Sequence, residues 1–254
     1  MSPVLQLPYH EALERERDMV AEVVDHRDIK WMIWQTHHGI VVPRSHAHYD
    51  NFDQAMTSSK ARGWPVFLRD TGGGAVVQGP DVINLSMSFI SGPTVDDRIG
   101  SAYRLLCEPL MAMLRSRGIE GAYRAVSGSM CDGAYNVVVA DRKLAGTAQR
   151  WKGLGRHRPE QYSVLAHFAM FLDLDLSAAA EAINALYLEM GVASGVHART
   201  HINWLEIDAS RREDRLQALT DELHAHCERL KNRRHCRLEK PDRLQNINSK
   251  PIRK

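Results

Sequence analysis

Arg69-Asp70-Thr71-Gly72-Gly73-Gly74-Ala75-Val76-Val77 follows directly on Trp64-Pro65-Val66-Phe67-Leu68, an apolar run of strand length. The strand ends at a charged pair. Three consecutive glycines then let the backbone approach whatever lies beyond, because no Cβ stands in the way. Their N–H groups can turn into one concavity and receive an anion, although the same glycines also suit an ordinary turn. A second stretch, Asp141-Arg142-Lys143-Leu144-Ala145-Gly146-Thr147-Ala148-Gln149-Arg150, follows a β-branched strand over Tyr135–Ala140. Asp141-Arg142 turns the chain and Lys143 opens the next segment. A strand-edge lysine beside small residues suits a carboxylate or a phosphate; taken by itself it could equally be solvated.

Together, and in this order, the two stretches resemble the lipoate-protein ligase A family of the biotin/lipoate ligase superfamily. That family carries R-[RX]-[ST]-G-G-G-A-V, matched at Arg69 to Val76, and later G-[RK]-K-[LIV]-[SAV]-G-[ST]-A-[QY]-R, matched at Asp141 to Arg150. The G-R-G-R-x-G-R-type loop usual in biotin ligases does not occur. The resemblance runs roughly from Tyr9 to Leu230 and corresponds to the large catalytic domain, without the smaller C-terminal domain of many bacterial ligases.

Further matches are residue by residue. Arg44 fits the arginine of a G-R-x-Q segment, with Pro43 for the glycine and His46 for the glutamine. Asn84 matches the asparagine of a G-N-[LV]-[NT]-[FY]-[ST] strand, Asn136 an asparagine near the following strand, and His167 the histidine of H-G-[TS]-[LI]-L. Phe168 replaces the glycine after that histidine, and Gln78-Gly79 stands where many relatives have His-Asp. By resemblance, Arg69, Thr71, Gly72, Gly73, Gly74, Ala75, Val76, Gly146, Thr147 and Ala148 line the substrate and ATP site, with Lys143 contacting both the acyl carboxyl and the α-phosphate. ATP and Mg²⁺ are implied as cofactors and lipoate or octanoate as substrate. The acyl tail is expected in a tunnel lined by Trp34, Val76 and Val77. No side chain is assigned to a metal, and the repeated His-Cys pairs at 226–227 and 235–236 match no compact metal motif.

The 254 residues suffice for one large domain or two small ones. A hydrophobic content of 44% and a charged content of 25% are those of a globular chain. No apolar segment approaches the roughly 20 residues of a membrane helix, and Met1 to His10 does not read as a signal peptide. Four cysteines without a dense framework suggest reduced thiols in a cytoplasm. Residues 231–254 carry nine basic and two acidic side chains, +7 against a net charge of +2. We therefore expect a catalytic domain over 1–230 and a mobile basic tail over 231–254.

Spacing predicts helices over Tyr9–Val24, Tyr49–Arg62, Asp96–Arg117, Ala178–Met190 (capped by Ser177) and Arg211–Leu230. Strands are expected over Ile29–Gln35, Gly39–Pro43, Val82–Phe89 and Val164–Leu176, with a loop over Trp151–Gln161. The pattern supports a mixed α/β or α+β fold. The resemblance adds detail: a central, largely antiparallel sheet with helices on one side, and a small second sheet.

Three functions fit these residues. The first is ATP-dependent ligation of lipoate to lipoyl-domain acceptor proteins, centred on Lys143, possible also with a small accessory subunit in place of the absent domain. The second is ATP-independent acyl or amido transfer. Cys131 would hold the acyl group as a thioester, its thiolate favoured by Lys143 or Arg150 if the fold brings them near. The third is a non-catalytic subunit that docks lipoyl domains through the basic tail. Neither membrane nor nucleic-acid partners are expected.

Overall fold

The computed structural model describes residues 4–26, 28–92, 97–193, 195–208 and 212–238. In chain order the elements are β1 (Leu5–Gln6), α1 (Tyr9–His26), β2 (Lys30–Gln35), β3 (Gly39–Pro43), a 3-10 turn (Arg44–His48), α2 (Phe52–Ala61), β4 (Val66–Arg69), β5 (Val76–Gln78) and β6 (Val82–Ser91). There follow α3 (Arg98–Ser116), β7 (Ala122–Tyr123), β8 (Val137–Val139), β9 (Arg142–Gly153), β10 (Tyr162–Phe171), α4 (Leu176–Glu189), a second 3-10 turn (Ala198–Thr200), α5 (Trp204–Ile207) and α6 (Arg212–Leu238).

Seven strands form one sheet in the order β1-β2-β6-β10-β9-β8-β7, and β4-β3-β5 form a second. In the large sheet β1–β2 is parallel and every other pair antiparallel. The mixed α/β fold with a small second sheet is the one expected. Alternation assigns the faces. Ile83, Leu85, Met87 and Phe89 of β6, with Val164, Ala166, Phe168 and Met170 of β10, bury one face against α3 and α6. Phe168, read from the sequence as a departure beside His167, belongs to this core, and His167 points the other way. Helices were expected on one side only. However, α1 crosses the opposite face, because Asn84, Ser86 and Ser88 there are buried polar groups that require a cover. A separate core joins β3 and β5 to α2 and α4 through Ile40, Val42, Phe52, Val77 and Ile183.

Several boundaries move. The segment after Pro43 begins as a 3-10 turn, and α2 starts only at Phe52. β9 extends to Gly153, into the stretch read as a loop, because it pairs with β10 as far as Tyr162. β10 ends at Phe171. α6 runs eight residues into the basic stretch, and residues 239–254, which hold the rest of the expected tail, lie outside the described residues. Among the described residues no helix is long and apolar enough to cross a membrane.

The cap of α4 also differs. Asp175, rather than Ser177, accepts the free N–H groups of Ser177 (3.1 Å) and Ala178 (3.0 Å). Asp175→Ala should therefore cost about 1 kcal/mol of stability in urea unfolding, and Ser177→Ala less than about 0.5 kcal/mol. The reverse ranking would restore Ser177 as the cap.

Candidate functional site

The glycine stretch lies between the two sheets, and Arg69, the last residue of β4, holds it there. The residue is 4% exposed. One nitrogen donates to the Val41 carbonyl of β3 (3.1 Å), and the others reach Gly72 O (3.0 and 3.3 Å) and Gly74 O (2.7 Å). Burial lowers its pKa, with the Cys131 thiol position acting in the opposite direction. The loop's own donors are also used. Gly74 N–H donates to Cys131 Sγ (3.0 Å) and Ala75 N–H to the Tyr187 hydroxyl (2.5 Å). A Cβ on Gly73 would sit 2.5 Å from Cys131 Sγ, and Gly73 itself adopts φ +107°, so glycine is required twice over.

Cys131 stands in the loop before β8 with φ 52°, a left-handed conformation uncommon for a side-chain-bearing residue. Two neighbours fix its backbone. Lys143 Nζ donates to its carbonyl (3.0 Å) and to that of Met130, and the Asn136 side chain reaches the Cys131 carbonyl at 3.4 Å. Lys143 is fully buried at the start of β9, and burial pushes its pKa down to about 8, with Cys131 partly offsetting the shift. A Cβ on Gly146 would lie 3.0 Å from the lysine Cε and Nζ, so the small residue makes room for the amine. Thr147 donates to the Tyr135 carbonyl (3.0 Å).

A buried polar relay runs behind this loop. Trp34 donates to Ser86 (2.9 Å), Ser86 to Glu16 (2.6 Å), Glu16 meets His167 Nδ1 (3.1 Å), and His167 Nε2 meets Thr71 (3.1 Å). Asn84 exchanges two hydrogen bonds with Gln78, both 2.8 Å. An open cleft of about 980 Å³, bordered by Gly72–Gly74, Ser127–Ser129, Thr147 and Ala148, leads to Cys131. A narrow channel of about 40 Å³ continues past it between Trp34, Val76, Asn84, Ala148 and His167. Val77, expected on the tunnel wall, faces the second core instead.

The structure thus brings together Arg69, Thr71, the glycines, Lys143, Cys131, Asn136, Thr147, Ala148 and His167. Arg44 stands apart: it is largely exposed and pairs with Asp70 (2.6 Å), which also meets Arg17 (3.4 Å) and Arg150 (3.5 Å). The hydrogen bond from Arg44, with the neighbouring arginine charges, holds the Asp70 carboxyl below its usual range. Arg150 is engaged there, and Arg69 is the arginine in contact with the cysteine's loop. Sequence reasoning missed Glu16, Tyr187 and His201. Glu16 was signalled, since it continues the buried stripe Ala12, Met19 and Val23 of α1; Tyr187 and His201 depend on contacts remote in sequence.

His201 supports the cysteine loop from below. Its Nε2 accepts the Met130 N–H (2.9 Å), so Nδ1 carries the proton and faces the His197 carbonyl (3.0 Å). Burial, assisted by the Lys143 charge, pushes its pKa from 6.5 down to about 4. As pH falls, the unfolded ring takes a proton before the folded one, so stability is lost from about pH 6.5 to about pH 4. The loss is on the order of 3 kcal/mol. Urea unfolding across that range should show this slope, and His201→Gln should flatten it; an unchanged slope would remove His201 from the account.

A protein of Cupriavidus necator is 35% identical over 175 residues, 65% of this chain and 68% of that protein. The octanoyl-[GcvH]:protein N-octanoyltransferase of Kyrpidia tusciae is 41% identical over 130 residues, 49% of this chain and 43% of that enzyme, so the match spans less than half of its length. Among solved structures, lipoate-protein ligase A bound with ATP superposes with a TM-score of 0.59 over 91% of this chain and 92% of its own, at 15% identity, which is a likeness of fold. The lipoyl protein ligase A/B catalytic domain model matches residues 8–205, from just before α1 into α5. The chain belongs to that family and is an enzyme of it.

Proposed function

We propose that the chain is an ATP-independent acyltransferase that moves a medium-chain acyl group, octanoyl or lipoyl, between lysines of lipoyl-domain proteins through a thioester on Cys131. One observation carries this reading: the Cys131 sulfur occupies the glycine loop, takes the Gly74 N–H, and stands where the open cleft narrows into the channel. The octanoyltransferase among its relatives supports the substrate class.

Four of the donors first assigned to ATP are already engaged. Gly74 and Ala75 N–H, the Arg69 guanidinium and the Lys143 amine all donate within the chain. Arg69 in this reading braces the loop, and no residue is assigned to ATP or Mg²⁺.

The Cys131 sulfur attacks the acyl carbonyl of the donor lysine amide as the thiol gives up its proton. The C–N bond breaks, and that proton goes to the departing amine. An acceptor lysine amine then attacks the thioester, the C–S bond breaks, and the sulfur regains a proton. One amide replaces another, so no nucleotide is consumed. Lys143, with a pKa near 8, can hold or release the transferred proton near neutrality. The cleft receives the lysine arms, while the channel begins the acyl site beside Thr71, Val76, Asn84, Ala148 and His167. A thiol nucleophile suits a reducing cytoplasm. The catalytic unit is taken as residues 1–230, from which α6 continues to Leu238, and no accessory subunit is required.

Incubation with an octanoylated lipoyl-domain protein should add one octanoyl mass to the chain, absent in Cys131→Ser. Lys143→Ala should slow transfer at least about a hundredfold while remaining folded. Acylation that survives in Cys131→Ser, or lipoate-dependent exchange of pyrophosphate into ATP, would overturn this reading in favour of ligation.

A further inference from the structure

Acyl transfer builds negative charge on the acyl oxygen, and the loop donors nearest the sulfur are not free to meet it. Gly74 N–H is on Cys131 Sγ, and Ala75 N–H is on the Tyr187 hydroxyl. These bonds come from consecutive amides of one loop, and both Cys131 and Tyr187 line the open cleft. A Cβ on Gly74 would lie 3.1 Å from the Tyr187 hydroxyl and 3.3 Å from Cys131 Cα. The hydroxyl and the cysteine therefore flank one bare stretch of backbone. Any residue larger than glycine at position 74 would intrude between them.

The hydroxyl is held with its own hydrogen unspent. Its oxygen accepts the Ala75 N–H and keeps an O–H to donate. Among the described residues no acceptor takes that O–H. Burial raises the Tyr187 pKa, with the Ala75 bond opposing the shift, so the phenol keeps its proton at neutral pH. The N–H on its oxygen also polarises the O–H and strengthens it as a donor. The ring itself is fixed by α4. Ile183 and Leu186 beside it are buried in the second core, and His46 packs edge-on against the phenol with ring centroids 5.8 Å apart. Asn184 pins the same helix to Val196 through two hydrogen bonds (2.8 and 2.9 Å). A donor fixed before the substrate arrives needs little reorganisation when charge develops.

We propose that Tyr187 is a catalytic residue whose hydroxyl donates a hydrogen bond to the acyl carbonyl oxygen at Cys131. The role rests on the acyltransferase reading. As the sulfur adds to the carbonyl carbon, the C=O π pair moves onto oxygen and meets the Tyr187 O–H. The proton stays on the phenol. The pair returns to form C=O again as the C–N bond breaks, and the same contact serves when the acceptor amine attacks the thioester.

The test compares the full chain as wild type, as Tyr187→Phe, and with ortho-fluorotyrosine at position 187. Each is loaded at Cys131 from p-nitrophenyl octanoate labelled at its carbonyl, with Cys131→Ser as background, and the isotope-edited infrared band of the thioester carbonyl is recorded. A donated hydrogen bond weakens the C=O bond. The band should therefore rise in frequency in Tyr187→Phe. It should fall below the wild type in the fluorinated chain, whose O–H is more acidic while its oxygen still accepts from Ala75. Octanoyl transfer between lipoyl-domain proteins should slow about a hundredfold in Tyr187→Phe. An unchanged band, with or without slower transfer, would overturn the proposal and leave Tyr187 as a brace of the loop. The fluorinated chain decides the matter if Tyr187→Phe does not fold. Wild-type transfer matched by Tyr187→Phe would reject this role alone. A wild type that neither transfers octanoyl nor acquires it at Cys131 would reject the acyltransferase reading and this role together.

Discussion

A guanidinium buried between two sheets must place its N–H groups on acceptors, since an unpaired buried charge costs several kcal/mol. Arg69 does so on carbonyls of β3 and of the glycine loop. Those bonds hold the loop against the small sheet, aim the Gly74 N–H toward the cleft, and leave no room for side chains at Gly73. The position of the cysteine sulfur follows from that fixed donor. The rest of the site is arranged around an arginine that does not itself face solvent.

The cysteine loop is held with equal economy from its other side. Lys143 binds its carbonyls from β9, and His201 receives the Met130 N–H beneath it. Both side chains are buried bases with lowered pKa values, and the Lys143 charge adds to the cost of charging His201. The outcome is a neutral histidine with a defined tautomer and a lysine that holds its charge less firmly than it would in water. Packing therefore sets the protonation states before any substrate arrives.

Much of this was legible in the chain. Alternation in β6 and β10 marked the strands that bury one face, and the paired motifs identified the family because both ends of the site are continuous segments. What escaped depended on long-range contact. Glu16 reads as one more charge on a charged helix until Ser86 and His167 are seen across the sheet. Asp175 displaced Ser177 as a cap because the helix starts two residues earlier than its apolar pattern, at Leu176. The glycine run was the most instructive case. Three glycines signal a backbone that must be approached closely, but the sequence does not say by what. Here the approaching group is a thiol, and the Gly74 and Ala75 N–H donors are occupied within the chain.

The lowered pKa of Lys143 has a further consequence. A neutral amine beside a thioester is itself a nucleophile, and intramolecular aminolysis would strand the acyl group on the enzyme as a stable amide. The two carbonyls that bind Nζ belong to Met130 and Cys131, on the backbone side of the cysteine. They keep the amine directed at the main chain, away from an acyl carbon held beyond the sulfur. If Cys131 carries the acyl group, the same tether that positions the loop would protect the enzyme from self-inactivation.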